Sequence, residues 1–588
     1  MKSFVSNHLH RNKSIHEQSD QLFYFHLTRH DIEKLQERIY TGFANFTIDK
    51  PGGKWQNFNG IVLLVWIHKV MKSLSKNWFT IISFLIPVTY LILFRMIFPP
   101  HFCDDAYITF KSAINLTEGN GLTFNSGERI YVVTAPLWAF ILAAGKLCGF
   151  EMLDFVRFAG ISFEIAFLCS LVYLGYSLFG NYRFGLLTAV LLCTHPVYLF
   201  NTFSGMETSL YLFVITISLI FTAKERCGWA LAWASLSVWI RFDGLLFFLI
   251  IFFWVIYKAI LKDRNKTHGA IVLFIFSFII LIAYFLFGLI YYNSVIPNSV
   301  LAKSLHSPSL FSSEWFHGAY KILRQIGNAI ILGRSTYFYP YAMRYWIFAI
   351  AIILGIIKTV MDRKITLIPS FGFSILYSIC FILSGDFAAQ FYPWYFAPPL
   401  LGAYLMASYG FMWFVDFILS MYTKGFRPDI SPSIVLIAVV ITWLYIIFGP
   451  LSADSRNLDR LEYERERVYK TGSIWAGKYL PQNTTVAAYE IGVIGYYLRD
   501  DIKLIDLYGI HRKKDERMMD MIDIIEKYNP EMILVGEQNE CRETIENGLP
   551  GEYIWMKYEK LDIGLRKEIS KSMLRNFREI GAIDKNME

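Results

Sequence analysis

Long apolar runs dominate residues 61–450 and limit what this chain can fold into. A helix needs about 20 apolar residues to cross a bilayer, and in lipid a continuous apolar run satisfies its own backbone hydrogen bonds only as a helix. The chain is 55% hydrophobic and 18% charged, whereas soluble proteins carry about 25% charged residues. The sequence therefore predicts a polytopic α-helical membrane protein. About eleven segments come near the crossing length, namely 78–98, 157–179, 184–200, 207–223, 229–240, 244–260, 269–292, 341–358, 364–383, 395–418 and 433–450.

Polar segments flank the apolar region on both sides. Residues 1–77 contain an apolar run at 60–74 that is short and flanked by lysines, and we expect it to lie on the inner membrane surface as an amphipathic helix. Residues 451–588 alternate helical runs with β-like ones, namely TTVAAYE at 484–490, IKLIDLY at 502–508 and EMILVGE at 531–537. This alternation predicts a small extracytoplasmic α/β domain. The predicted organisation is a cytoplasmic segment 1–77, a transmembrane domain 78–450 and an external domain 451–588.

Basic segments between the apolar runs predict the orientation of the chain. Short loops rich in Lys and Arg stay in the cytoplasm, and such segments lie at 68–76, 223–228, 258–266, 358–364 and 421–429. If successive spans cross in alternate directions, all of these basic segments lie in the cytoplasm only when the apolar stretch 135–150 lies at the outer membrane face without crossing. We therefore expect the N-terminus in the cytoplasm, and the first external loop, 99–156, and the C-terminus on the other side.

Charge and cysteine usage argue against several classes of protein. The net charge of +8 is modest and fits basic cytoplasmic loops better than a nucleic-acid-binding surface. The 7 cysteines have no metal-binding spacing, which predicts neither a disulfide framework nor a zinc site. No glycine-rich nucleotide-binding motif stands where it would be useful. We expect no metal site and no required cofactor, although a divalent cation is left open, and membrane lipids rather than nucleic acid as partners.

The polar motifs of interest outside the basic loops all fall on one predicted side of the membrane. Ionisable groups are expensive in lipid, and their convergence on one face of a helical bundle indicates a site. The alternative, ordinary solvated loop charge, suffices for any one of them taken alone. The candidates are Asp104, Asp105, Glu128, Arg129, Glu207, Arg241, Asp243, Lys303 and Asp386.

The stretch DDAYITFKSAINLTEGNGLTFNSGERIYVVTAPLW, residues 104–138, resembles the first external loop of membrane glycosyltransferases of the GT-C superfamily. It is most similar to that of bacterial relatives of the mycobacterial terminal β-(1→2) arabinofuranosyltransferase. Further motifs follow in the family's order, namely SGMETSLY at 204–211, RFDGLLF at 241–247, IPNSVLAK at 296–303, SGDF at 384–387 and YEIGVIGYYLRDDIKLIDLYGI at 489–510. Lys111 and Phe242 depart from the family's Arg and Pro, and leave the sugar and the acceptor open.

The resemblance implies an enzyme of the bacterial plasma membrane with the GT-C fold. Such enzymes transfer a sugar, with inversion, from a polyprenyl-phosphate donor to an extracytoplasmic glycan or glycolipid acceptor. A carboxylate serves as general base on the acceptor hydroxyl, and cations stabilise the phosphate. Asp104 or Asp105 is the expected base. Which of them acts stays open, because adjacent helical residues point about 100° apart and cannot both face one acceptor atom.

The resemblance and the needs of the reaction also suggest roles for the other candidates. Arg241 and Lys303 are the expected ligands of the donor phosphate, and a helix-end ion pair with Asp243 is the alternative for Arg241. The expected substrate-binding residues are Glu128, Arg129, Glu207, Asp243 and Asp386.

Two other classes of protein compete with this interpretation. A transporter or flippase of lipid-linked sugars places ionisable residues at mid-span and has repeated halves or broken helices, whereas the sequence has no internal repeat. An acceptor-binding or assembly protein carries a degenerate site. The intact pair Asp104 and Asp105 argues against this class. A cavity that joins these aspartates to a lateral opening favours the enzyme, and a continuous path through the helical bundle favours transport.

Overall fold

Helices make up most of the computed structural model, which describes residues 78–98, 102–261, 268–305, 308–332, 346–384, 393–423, 432–536 and 539–568. These residues belong to one compact unit that begins at Trp78. The predicted interfacial helix at 60–74 lies outside the described residues, and so does Asp386.

The apolar runs form the helices of the membrane part. In chain order these are α1 Trp78–Ile97, α2 Asp104–Thr117, α3 Pro136–Leu147, α4 Met152–Phe179, α5 Tyr182–Cys193, α6 Pro196–Phe203, α7 Thr208–Ala223, α8 Cys227–Ile240, α9 Gly244–Leu261, α10 His268–Tyr292, α11 Asn298–Leu305, α12 Ser313–Gly327, α13 Trp346–Met361, α14 Ile368–Ser384, α15 Ala397–Thr423 and α16 Pro432–Tyr479. Each of the eleven predicted segments lies wholly or partly in one of these helices.

Helix length separates the spans into two groups. Within the described ranges, five helices are long and apolar enough to cross a membrane, namely α1, α4, α10, α15 and α14 with its leading turn. A sixth crossing arises if α5 and α6, which meet at 74°, form one bent span. The shorter apolar helices of the described ranges are α3, α7, α8, α9 and α13, so the number of eleven crossings stays a prediction. The 12 residues of α3 rise about 18 Å against a hydrocarbon core of about 30 Å, and its expected place at the membrane surface stays a prediction.

A buried ion pair that the sequence analysis missed joins three of the membrane helices. The Arg95 guanidinium of α1 donates to the Glu164 carboxylate of α4 at 2.6 and 3.1 Å. The Thr202 hydroxyl of α6 donates to the other Glu164 oxygen at 2.8 Å and accepts from Arg95 at 2.7 Å. Because removal of one partner leaves a charge in an apolar interior, such a pair fixes these helices relative to one another.

A C-terminal α/β domain follows α16 directly. This 48-residue helix runs through residue 451, where the sequence placed the domain boundary. The next elements are β1 Thr485–Ala488, α17 Gly492–Tyr497, β2 Lys503–Asp506, α18 Met521–Tyr528, β3 Met532–Val535, α19 Asn539–Gly548, β4 Tyr553–Tyr558 and β5 Leu561–Arg566. The sheet has the order β2-β1-β3-β5-β4, with β1 parallel to β2 and β3, and β5 antiparallel to β3 and β4. The predicted β-like runs thus form β1, β2 and β3.

Loops of the membrane part that are predicted to be external hold this domain. From the first loop, the Asn125 amide donates to the Leu504 carbonyl at 2.9 Å, and Glu128 accepts from the Lys503 ammonium at 2.7 Å. At the start of α11, the Asn298 amide donates to a carbonyl at 2.8 Å in the segment that follows β2. The domain is therefore fixed on the loops that carry the candidate residues.

Candidate active site

A cavity of about 630 Å³ lies where the loops that are predicted to be external meet. Within the described residues, its charged lining consists of Asp105, Glu207, Arg241 and Asp243. These four residues were predicted to converge, and the fold brings them to one cavity. Ile510 of the C-terminal domain completes part of the wall, so both parts of the described chain build the site.

Asp104 and Asp105 face different surroundings. Both lie in the first turn of α2, where the helix dipole favours carboxylates. Asp105 lines the cavity. Asp104 instead accepts hydrogen bonds from the backbone N–H groups of Gly492 at 3.0 Å and Val493 at 2.8 Å, at the start of α17. The 100° separation of adjacent helical residues therefore assigns one carboxylate to the cavity and the other to the C-terminal domain.

The pKa of Asp104 reflects its burial. Desolvation, and next the neighbouring Glu490 carboxylate, raises it to about 7, although Arg465 and the Val493 N–H favour the ionised form. Glu490 is itself held by α16, where the Arg465 Nε donates to it at 3.1 Å and the Tyr469 hydroxyl also donates. Asp104 thus belongs to a polar cluster shared between α2, α16 and the segment before α17.

A tight turn between α8 and α9 presents Arg241 and Asp243 to the cavity. The Arg241 N–H donates to the Ser237 carbonyl at 3.0 Å, and the Gly244 N–H donates to the Arg241 carbonyl at 2.9 Å. A Cβ atom on Gly244 would lie 2.5 Å from the Ser237 carbonyl oxygen. This turn therefore requires glycine at the start of α9, and RFDG is the sequence that forms it.

Arg241 is buried between two carboxylates. Its Nε lies 3.1 Å and its Nη2 2.8 Å from Asp243 oxygens, and its Nη1 lies 3.2 Å from Glu207. The Tyr377 hydroxyl donates to Asp243 at 2.8 Å. The helix-end ion pair that the sequence analysis gave as an alternative is present, and the guanidinium lies 5.7 Å from the centre of the Tyr395 ring. The phosphate contact expected of Arg241 is not tested by this geometry.

The cavity reaches the surface of the molecule near the end of α14. Leu310 and Leu383 line it, and they are 65% and 51% exposed. Cys380, one turn before the end of α14, lines it and is also exposed. Because α14 is long and apolar enough to span the membrane, this exposed apolar rim of the cavity lies at the end of a candidate span.

Two predicted substrate-binding residues lie away from the cavity lining. Burial opposes ionisation of Glu128, but hydrogen bonds from Lys503 and then Asn125 hold its pKa below the ordinary value. Its contacts are with the C-terminal domain. The Arg129 guanidinium lies 5.0 Å from the centre of the Tyr291 ring. Neither of these two residues lines the 630 Å³ cavity, and the geometry favours a role for Glu128 in holding the domain.

Lys303 is placed only in part. Its backbone lies in α11, and its side chain is outside the described residues, as is the whole of Asp386. Ser299 and Val300, at the start of the same helix, line the cavity. The motif IPNSVLAK therefore reaches the site.

Some residues of the site were not selected from the sequence. Ser299 stands in a motif that was recognised, so its neighbours could have indicated it. Tyr377 lies in the apolar run of α14, and no local pattern marks it as a partner of Asp243. Trp315 and Trp394 also line the cavity. Among the residues that the structure describes, no group of three or more His, Cys, Asp or Glu side chains is arranged to hold a metal ion.

Comparison with known families and curated sequences gives one match. Residues 456–575 match a family model described as a domain of unknown function, DUF8728. No curated protein sequence matches the chain. The match covers α17 and every strand of the sheet, so it coincides with the part that contacts Asp104.

Solved structures resemble the chain over a much longer stretch. ArnT from Cupriavidus metallidurans in the apo state covers 83% of this chain and 98% of its own, with 10% identity and a TM-score of 0.50. ArnT bound to undecaprenyl phosphate has the same coverage and identity, with a TM-score of 0.46. Mycobacterial arabinofuranosyltransferase AftD has 11% identity and a TM-score of 0.35, and 41% of its chain is covered. The likeness to apo ArnT confirms the predicted fold, and the chain is a polytopic α-helical membrane protein of the GT-C fold with a C-terminal α/β domain.

Proposed function

We propose that this protein is a membrane glycosyltransferase, which transfers a sugar from a polyprenyl-phosphate donor to an extracytoplasmic glycan or glycolipid acceptor with inversion. The observation that carries the proposal is the cavity, which has Asp105 on its wall and an apolar rim at the end of α14. A lipid-linked donor diffuses in the membrane and enters such a cavity from the side. The aromatic side chains of Trp315, Trp394 and Tyr395 in the lining give flat apolar faces for a sugar.

Asp105 is the proposed general base. The donor already has a phosphate leaving group, so the protein's main tasks are to deprotonate the acceptor hydroxyl and to hold it behind the anomeric carbon. The acceptor oxygen then forms a bond to the anomeric carbon as the bond from that carbon to the phosphate oxygen breaks. Asp105 takes the acceptor proton, and the phosphate leaves with the electron pair. Asp104 is less suited to this task because its carboxylate is bonded to two backbone N–H groups.

Lys303 is the proposed phosphate ligand. The described charged lining contains three carboxylates and one guanidinium, which is already bonded to two of them. A donor phosphate needs further positive charge. Lys303 stands one turn beyond Ser299 and Val300, which line the cavity. The proposed task of Arg241 is to hold Glu207 and Asp243 in place for sugar hydroxyls, in addition to any contact with the phosphate.

Transport is the second candidate function, and two observations weigh against it. The charged residues of the cavity come from the first external loop, the start of α7 and the turn between α8 and α9, all on one predicted side of the membrane. The buried pair of Arg95 and Glu164 bonds within itself and with Thr202, and neither member of that pair lines the cavity.

Lipid extraction tests the proposal. Mass spectrometry of lipids from the purified protein is expected to find a polyprenyl phosphate with one sugar attached. Undecaprenyl phosphate, which one of the ArnT structures contains, is the first carrier to test in reconstituted transfer. Sugar movement across protein-containing vesicles without transfer to any acceptor would favour the transporter and would contradict the proposal.

A further inference from the structure

The C-terminal domain touches α2 at the residue next to the proposed base. Asp104 accepts hydrogen bonds from the Gly492 and Val493 N–H groups, and Asp105 follows it in the first turn of α2. The two backbones are also in close contact at this point. A Cβ atom on Gly492 would lie 1.8 Å from the Asp104 carbonyl oxygen, so only glycine allows α17 to approach α2 this closely.

Aromatic packing extends the same contact along α2. The Tyr107 ring packs edge-on against the Tyr496 ring of α17, with centroids 5.2 Å apart, and lies 6.0 Å from the Tyr497 ring. One turn further along α2, Lys111 forms an ion pair with Asp500. The face of α2 that carries Asp104, Tyr107 and Lys111 is thus held by the C-terminal domain, at helical spacings of three and four residues.

We propose that the C-terminal domain, which matches only a domain of unknown function, is a positioning domain: it holds α2 through Asp104, Gly492 and Val493 and thereby sets the place of Asp105 in the cavity. This inference rests on the proposed function for the role of Asp105. Asp104 is accordingly a positioning residue, which acts on the reaction through its neighbour. A general base displaced by about 1 Å costs up to about 10²-fold in rate.

Hydrogen exchange of the full-length protein in detergent tests the contact without any need for activity. Asp104→Ala is expected to speed exchange at the Gly492 and Val493 amides and along α2, because their acceptor is gone. Asp105→Ala is the matched control and should leave these amides protected. Unchanged exchange in Asp104→Ala would overturn the proposal, whether or not the protein transfers a sugar.

Turnover then tests whether the contact positions Asp105. Gly492→Ala should lower kcat by about 10²-fold with the KM for donor little changed, because it displaces α2 and leaves the phosphate site alone. Gly477→Ala, in the last turn of α16, is the control, because its Cβ would meet Arg499 only at an ordinary contact distance of 3.4 Å. The double variant Asp104→Ala with Gly492→Ala should lose little more than either single variant, because both break one contact. Full additivity, or normal kcat in Gly492→Ala, would refute the positioning role.

If the wild-type protein transfers no sugar from any polyprenyl phosphate, the proposed function fails. The exchange measurement still decides whether the C-terminal domain holds α2. Absence of transfer therefore contradicts the proposed function alone. Unchanged hydrogen exchange in Asp104→Ala contradicts the positioning role alone.

Discussion

The Arg241 guanidinium lies between two acidic side chains. Its guanidinium bonds to Glu207 and to both oxygens of Asp243 in a buried site. We predict that Arg241→Ala lowers the free energy of unfolding by about 3–5 kcal/mol, because it leaves the buried Glu207 and the partly buried Asp243 without their counter-charge. Thermal unfolding of the purified protein measures this loss.

Two further variants make this prediction specific. Arg241→Ala combined with Glu207→Gln and Asp243→Asn should recover part of the stability, because no unpaired buried charge remains. Lys146→Ala is the control, since it removes a cation that lies 3.8 Å from the exposed Glu151, and it should cost at most about 1 kcal/mol. If Arg241→Ala unfolds like the wild type but needs more donor, the residue acts on the phosphate and not on the carboxylates.

At the level of single residues, the sequence selected residues that line the cavity but did not settle which task each of them has. It selected Asp105, Glu207, Arg241 and Asp243, which do meet in one cavity. It left open which aspartate faces that cavity, because the answer depends on amide groups of Gly492 and Val493, almost 400 positions further along the chain. The expectation that Glu128 binds substrate stays a prediction, and the sequence did not predict the contact of Glu128 with Lys503, which depends on how the C-terminal domain docks. Such long-range pairings leave no local signal.

The contact between α2 and α17 is expected to depend on pH. Burial and then Glu490 raise the pKa of Asp104 from 3.8 to about 7, while Arg465 opposes them. The other ionisable groups that face it are Asp105 and Tyr469. As the pH falls through about 7, Asp104 gains a proton, one oxygen becomes a poor acceptor for a backbone N–H, and α2 is held less firmly. We predict that kcat falls over this range.

Stability should change in the opposite direction, between the ordinary pKa of 3.8 and the raised pKa of about 7. The folded chain binds this proton more tightly than the unfolded chain, so this group's contribution to stability is lost as the pH rises through about 7. Rate profiles and thermal unfolding of the wild type and Asp104→Asn measure both effects. In Asp104→Asn the change in kcat near pH 7 should disappear. If the same change persists in Asp104→Asn, another group is responsible.

At the level of elements, the periodicity and length of the apolar runs predicted the helices and three strands, but not how these elements pack together. The apolar runs form helices, and three β-like runs form the parallel part of the sheet. The sequence placed a boundary at residue 451, but α16 continues to Tyr479, because polar helical residues carry the same helix out of the apolar region. The pair of Arg95 and Glu164 was also missed, since its members are 69 positions apart.

In the whole molecule, two parts of the chain share one site. The membrane part supplies most of the cavity and its exposed apolar rim, and the C-terminal domain contributes Ile510 and holds α2. The chain shares its fold with apo ArnT at 10% identity. A shared fold at so low an identity does not imply a shared substrate. The proposed reaction therefore depends on the residues of this cavity.

Single-turnover transfer by Asp105→Asn tests the central claim most directly. The measurement follows a labelled sugar from undecaprenyl phosphate, or from the carrier found by extraction, to the acceptor glycan. The wild type and Asp154→Asn, which changes an exposed carboxylate paired with Arg157, should transfer the label at similar rates. Asp105→Asn should bind the donor and transfer it about 10²–10⁴-fold more slowly, because the acceptor hydroxyl has lost its base. Transfer by Asp105→Asn at a near-normal rate would contradict the account.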